Sequence, residues 1–397
     1  MSEKGRNRLL VLLSVAHSLN HSLFLIAPPL LLIIMNDLKT SLGALGIVGT
    51  AGSIVYGVGS LVGGPLSDRV NEVRIVTICL AFAGASSLIL IFASNIFIYG
   101  IALILMATWA GLYHPTANSL ISKVFRGHMA EAMGFHGVGG TLGVMFTPIA
   151  AFALGIAFGW QFSFLFFGAL SVVVSLLFLK NKFKQERFRS QSSIREVFGT
   201  PGLWRIFVFN IVLGLYMKGL EYFLPAYLVL KPFQVLDKGS AEFWAAVSAT
   251  LVLVSGVLGQ WLGGKSADVF GSKKVLIATS LGVLAGLVFL QFTPFWFIGV
   301  PAFIVLYGLS FYGHQPALNS LAGIMTPKDR RGIVYGMLFF TSFGLGSISL
   351  AITGYLMEHS VDLSFYVLTA FAVGALLLSL IIPDVRENKE SKAKVTT

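Results

Sequence analysis

Seven histidines punctuate a chain poor in ionisable side chains, and five of them, His17, His21, His114, His136 and His314, fall inside long apolar runs. A titratable group at that depth in a membrane costs about 3 kcal/mol or more unless it is paired or hydrated, which makes each a functional candidate. His17, Asn20 and His21 stand at i, i+3 and i+4, so they share one helix face. Imidazoles so placed suit proton exchange, because they titrate near neutral pH. A second cluster contains Lys218, Glu221 and Tyr222. Lys218 lies about 21 Å along its helix from the cytoplasmic start of its span at roughly 1.5 Å per residue, too deep to snorkel to the cytoplasmic surface. Its simplest partner is Glu221, one turn away, in an ion pair facing a wet cavity. His21 and Glu221 are the residues best suited to proton coupling. His114 and His314 can equally be read as interhelical hydrogen-bonding groups. His17 and His21 have the i, i+4 spacing of metal ligands, with His114 a possible third, but no carboxylate shares that face and no metal is assigned. No Ser/His/Asp set, His-Glu-x-x-His motif or Gly-x-x-x-x-Gly-Lys-Ser/Thr loop is present, so an intramembrane enzyme and an ATP-driven pump are both disfavoured. The single cysteine, Cys79, excludes an internal disulfide framework.

The elements that hold these residues are hydrophobic helices. With 56% apolar and 11% charged residues and a mean hydropathy of +0.83, the chain is far more charge-poor than soluble domains, which are about 25% charged. Apolar runs at 9–34, 42–65, 74–93, 96–122, 131–154, 159–179, 204–230, 242–262, 274–292, 295–321, 332–357 and 361–382 are each long enough to span a bilayer. If the N-terminus is inside, 24 of the 28 Lys and Arg fall on the cytoplasmic side, leaving only Lys39, Lys231 and Lys238 opposite and Lys218 within a span. That asymmetry predicts cytoplasmic termini in a cell (plasma or inner) membrane. The net charge of +11 therefore reads as a record of topology, with no nucleic-acid partner needed. The basic stretch 181–203 reads as a linker lying along anionic lipid between bundles at 1–180 and 204–397.

An internal repeat supports two bundles. Gly64, Pro65, Leu66, Ser67, Asp68, Arg69, Val70 and Asn71 recur as Gly264, Lys265, Ser266, Ala267, Asp268, Val269, Phe270 and Gly271, followed by Ser272, Lys273 and Lys274. Pro115, Asn118, Ser119 and Leu120 likewise return as Pro316, Asn319, Ser320 and Leu321. Six-span repeats suit a transporter with its site between the halves near the midplane. The paired loop motif resembles the signature of the major facilitator superfamily. A finer resemblance, to the fosmidomycin-resistance-type efflux subgroup, rests on Ser14 to Asn20, Tyr113-His114-Pro115, and Gly139, Gly140 and Gly143 with Pro148. His21 and Thr116 stand where that subgroup has acids, Asn71 replaces a glycine, and Thr147 replaces the glycine before Pro148 in an antiporter-like motif.

The resemblance implies an all-α integral membrane protein of twelve transmembrane helices in two pseudo-symmetric six-helix bundles. It further implies that Asp68 with Arg69 and Arg74, and Asp268 with Lys273 and Lys274, latch the halves on the cytoplasmic side. Spans 1, 4, 7 and 10 would line the cavity. The resulting expectation is secondary transport by alternating access: proton-coupled export of a small organic anion or amphiphile, or alternatively proton-symport import of an anion or nutrient. A metal-handling protein or intramembrane enzyme ranks below both. The binding and coupling set is His17, Asn20, His21, His114, His136, Lys218, Glu221, Tyr222 and His314. Phe24, Phe223 and Trp109 are placed against an apolar part of the ligand. The expected partners are that small molecule, protons and lipid. The chain should act as a monomer and need no cofactor beyond a proton gradient.

Overall fold

The computed structural model describes residues 3–67, 69–125, 129–179, 202–326 and 331–385. Asp68, and residues 181–201 of the expected linker, lie outside the described residues. Within them are 12 helices long and apolar enough to cross a membrane, from Glu3–Asp37 and Leu42–Ser67 to Ile333–His359 and Val361–Ile381. They match the expected runs to within about four residues, apart from the first, which starts at Glu3, and the eighth, which extends over Lys238–Phe270. Numbering these helices as spans 1 to 12 in chain order, an even count brings the first and last residues to the same end of the bundle, hereafter the terminal end. Large apolar side chains such as Phe92, Phe97 and Phe158 remain strongly exposed on the outer surface, where a bilayer would solvate them.

Two spans are broken where proline removes a backbone donor. Span 1 divides at Ile26, just before Pro28 and Pro29, into Glu3–Leu25 and Ala27–Asp37. Span 4 (Ile96–Val124) turns at Gly111 and Leu112, so that Tyr113-His114-Pro115 opens its second helix. Pro115 has no N–H to donate to the carbonyl of Gly111, and Ser60 of span 2 donates its hydroxyl to that carbonyl at 3.2 Å. The break is thus satisfied from a neighbouring helix, as the apolar surroundings demand. Span 11 contains a wider defect. Residues Phe340–Leu345 form a π-helical turn in which Gly346 N–H bonds the Thr341 carbonyl at 2.9 Å. Asn210 of span 7 donates to the Leu338 carbonyl at 2.7 Å and to the Thr341 hydroxyl at 2.8 Å, tying the turn in place.

The halves meet mainly through span 2 against span 11, span 5 against span 8, and the second helix of span 1 against spans 7 and 8. Away from the terminal end this seam is tight. Gly43 N–H donates to Glu358 Oε1 at 2.5 Å, the Thr50 hydroxyl donates to the Ser347 carbonyl at 2.8 Å, and Ala351 N–H returns a bond to Thr50 at 3.0 Å. Gly46 lies so close to the Leu350 carbonyl that a β-carbon would collide with it. The small residues of span 2 therefore serve contact between the halves.

Candidate functional site

Between the halves lies a cavity of about 760 Å³. Its outer part is bordered by Asn118, Gln260, Gln315 and Asn319, all solvent-exposed and all in the terminal-end portions of spans 4, 8 and 10. The cavity thus opens toward the terminal end, while the span 2–span 11 seam closes the other. Its volume falls in the range of small-ligand pockets, about 300–1,000 Å³.

The first half contributes imidazoles. Gly139, Gly140 and Gly143 of span 5 press directly onto Ser14, His17 and Ser18 of span 1, and a β-carbon on Gly140 would enter the His17 ring. That approach lets His17 Nδ1 reach the His136 carbonyl at 2.8 Å. A carbonyl only accepts, so Nδ1 carries the proton and the lone pair of a neutral ring resides on Nε2. His21 Nε2 sits 3.1 Å from His17 Nε2 and can donate to it. The His17 and His136 rings stack with centroids 4.1 Å apart, and His114 stands edge-on to His17 at 4.9 Å. Tyr113 gives its hydroxyl proton to the Leu13 carbonyl at 2.6 Å and accepts from His136 Nε2 at 3.1 Å. His114 is buried, and its Nε2 finds no hydrogen-bond partner among the described residues.

The second half contributes the ion pair. Lys218 Nζ lies 2.5 Å from Glu221 Oε2, with the lysine side chain 11% and the glutamate side chain 27% exposed. The ammonium also sits 3.8 Å from the centre of the Phe343 ring, a cation–π contact. Tyr222 reaches across to span 2, where Gly49 leaves room for its ring. His17, His21, His114, His136, Lys218, Glu221, Tyr222 and His314 all border the cavity. Asn20 is buried just behind the wall and donates to Tyr56 Oη at 3.3 Å. His314 faces the cavity from span 10 beside Phe311, apart from the imidazole group, and its Nδ1 has no hydrogen-bond partner among the described residues. An enclosure with these few polar and charged groups set in a largely apolar wall can bind a small molecule that carries both polar and apolar parts.

A family model described as Major Facilitator Superfamily matches residues 10–350 and 247–396. The chain belongs to that superfamily. Among its relatives, this superfamily member is 22% identical over 320 residues to the fosmidomycin resistance protein of Escherichia coli (strain K12), covering 78% of this chain and 74% of that one. It is 24% identical over 387 residues to the hexuronate transporter of Bacillus subtilis (strain 168), covering 88% and 87%. The fold matches the crystal structure of a bacterial homolog to the human lysosomal transporter Spinster, in an inward-facing and unoccupied conformation. That match has a TM-score of 0.79 at 17% identity and covers 98% of this chain and 100% of the other. The protein is a membrane transporter rather than an enzyme.

Within this transporter two expected contacts need correction. Trp109 does not border the cavity but packs on the exposed Phe82, ring centroids 4.8 Å apart, on the outer surface. Trp109 stands five residues before His114, about 140° round the helix from it. Phe223 is fully buried in the seam, against the contact between Gly354 and Leu42, so it too is absent from the cavity wall. Phe24 does line it. Arg69, Arg74, Asp268 and Lys274 are exposed at the terminal end, with Lys273 partly exposed beside them.

Several contributors escape sequence reasoning. Tyr56 joins Phe24, His114 and Phe343 in the cavity wall, and Phe339 packs on His114 at 5.2 Å. Near the loop motif, the fully buried Glu72 pairs with Lys123. The one available signal was spacing within span 11, where Phe339 and Phe343 stand four residues apart on a helix face.

Proposed function

We propose that this chain is a proton-coupled secondary transporter that exports a small organic anion or amphiphile by alternating access. The observation that carries the reading is the Lys218–Glu221 pair, which faces the imidazoles of the opposite half across a cavity open at one end only. A cationic ammonium held by a carboxylate can exchange that partner for a ligand anion as the glutamate takes up a proton. Neutral imidazoles opposite can pass that proton on. The likeness to the hexuronate transporter of Bacillus subtilis supports an anionic ligand, since a hexuronate is a carboxylate. The efflux direction draws on the likeness to the fosmidomycin resistance protein.

Charge asymmetry supports cytoplasmic termini in a cell (plasma or inner) membrane, and in that orientation the cavity faces inward. On this reading the superfamily loop motifs, Asp68 with Arg69 and Arg74 and Asp268 with Lys273 and Lys274, bias closure of the cytoplasmic end. The chain acts as a monomer, with the proton gradient in place of a cofactor.

Proteoliposomes loaded with fosmidomycin or a hexuronate provide the test. An imposed pH gradient should drive the compound outward against protons in the wild type, and Glu221→Gln should abolish the gradient dependence while leaving counterflow. Transport by Glu221→Gln with undiminished gradient dependence would overturn the coupling assignment, and movement of the compound with the protons would establish symport instead.

A further inference from the structure

Three of the cavity imidazoles converge beyond what hydrogen bonding requires. One ligand atom from each of His17, His21 and His114 lies within 4.8 Å of the others. His17 and His21 already hold their Nε2 atoms 3.1 Å apart. Two nitrogens bound tetrahedrally to one zinc-like ion at about 2.0–2.1 Å stand about 3.3 Å from each other, so this pair needs almost no movement to share a cation. His114 completes the triangle by closing from no more than 4.8 Å to about 3.3 Å, a side-chain shift of about 1.5 Å at most. Its Nε2 is buried without a hydrogen-bond partner among the described residues, an uncompensated cost that a metal would remove.

The outer contacts of the group match those of a ligating site. Metal-bound histidines commonly donate their second ring N–H to a carbonyl, which fixes the tautomer and aims the lone pair. His17 Nδ1 makes that bond with the His136 carbonyl at 2.8 Å, leaving Nε2 free to bind. His136 is held aside by Tyr113 and stacks beneath His17, bracing the ring. The Lys218 ammonium is the nearby charge that would repel a cation, and Glu221 neutralises it at 2.5 Å.

We propose that His17, His21 and His114 bind one divalent transition-metal cation of the zinc class through three imidazole nitrogens, with the fourth position open to the cavity. Imidazole donors without carboxylates select zinc, cobalt, nickel or copper over magnesium and calcium, which prefer oxygen. On binding, His21 shifts its proton from Nε2 to Nδ1 and turns the freed Nε2 lone pair from His17 to the metal. A three-nitrogen site with one open position leaves room for water or an anionic group of the ligand. The site shares its cavity with the transport reading but depends on neither a gradient nor a direction.

Binding is measured on the full-length protein in detergent, freed of any polyhistidine tag, with Co²⁺ as the spectroscopic probe and Zn²⁺ as competitor. The expected result is one Co²⁺ per chain with visible bands of tetrahedral intensity, displaced by Zn²⁺. His21→Gln and His114→Gln should each weaken binding by more than the roughly 10–100-fold that losing an outer-shell partner costs, and His359→Gln should leave it unchanged. X-ray absorption of the Zn²⁺-loaded wild type guards against misfolded variants, since it should count three imidazoles directly. No saturable binding up to millimolar Co²⁺, a site with fewer than three imidazoles, or wild-type affinity in both folded cluster variants would overturn the proposal. Because no gradient is present, those outcomes leave the transport reading standing. Lost transport with intact Co²⁺ binding would have the opposite effect.

Discussion

The Lys218–Glu221 pair makes a quantitative prediction because its two members are not equally supported. At 2.5 Å and an effective dielectric constant of about 20, the gross attraction is roughly 6–7 kcal/mol, most of it cancelled by desolvation. Removing one partner from a buried pair costs about 3–5 kcal/mol. Here the glutamate is 27% exposed to the cavity, which lowers the expected loss to about 2–3 kcal/mol. When Glu221→Gln frees the lysine, the ammonium still rests on Phe343 at 3.8 Å, a contact worth about 0.5–2 kcal/mol. When Lys218→Met frees the glutamate, the carboxylate has no second hydrogen-bond or ion-pair partner among the described residues. Lys218→Met should therefore destabilise more than Glu221→Gln, by about 1 kcal/mol, and the double substitution should cost less than Lys218→Met alone. Equilibrium unfolding in mixed micelles across the four proteins gives the coupling energy directly. We expect at least about 1.5 kcal/mol, against an additivity error of about 0.3–0.5 kcal/mol. Additive singles would refute the coupling of the pair, and a glutamine variant worse than the methionine variant would refute the assignment of Phe343 as the lysine's second support.

Two further outcomes follow from the seam and the glycine face. Gly140→Ala should push the His17 ring away from the His136 carbonyl, costing about 1–3 kcal/mol and depressing transport, whereas Gly137→Ala, which meets open space, should be neutral or slightly stabilising by the same unfolding assay. Glu358→Ala removes the carboxylate bound to Gly43 N–H at the start of span 2, a bond worth about 1–2 kcal/mol, so the sealed end should open roughly 5–30-fold more often. Labelling of Ser41→Cys in a Cys79→Ser background measures that opening, and an unchanged labelling rate would refute it.

Twelve spans were legible in the sequence because a hydrophobic helix declares itself through local composition alone. The shared face of His17, Asn20 and His21, and the Lys218–Glu221 pair, were legible for the same reason, since contacts at i+3 and i+4 are set by helix geometry. Tyr56 and Phe343 were not, because an aromatic within a span looks identical whether it faces lipid, a helix or a cavity. Only packing over long separations decides between them. Trp109, five residues before His114 and about 140° round the helix from it, turns to the outer surface. Phe223 shows how the neighbour of a cavity residue, rotated by about 100° on the helix, falls into the seam instead. The contact from Gly43 to Glu358 links residues at opposite ends of the chain and leaves no trace in local pattern.

The π-helical turn of span 11 joins these features mechanically. Phe339 packs on His114 and Phe343 lies under Lys218 and against Tyr56, so this one segment touches both polar clusters. Just beyond the turn, the Ser347 carbonyl and Ala351 N–H bond Thr50, and Glu358 reaches Gly43, so the same helix forms the seal. A rigid rotation of span 11 that parts the seal must also move Phe343 relative to Lys218, unless the turn itself changes pitch. π turns are suited to that change, since they insert one residue into the helix and concentrate at functional positions. Asn210 of span 7, the span that carries Lys218 and Glu221, holds the Leu338 carbonyl just before the turn and the Thr341 hydroxyl within it. Replacement or release of the ion pair would then be felt at the seal through one helix and one amide, without a chain of intermediate side chains.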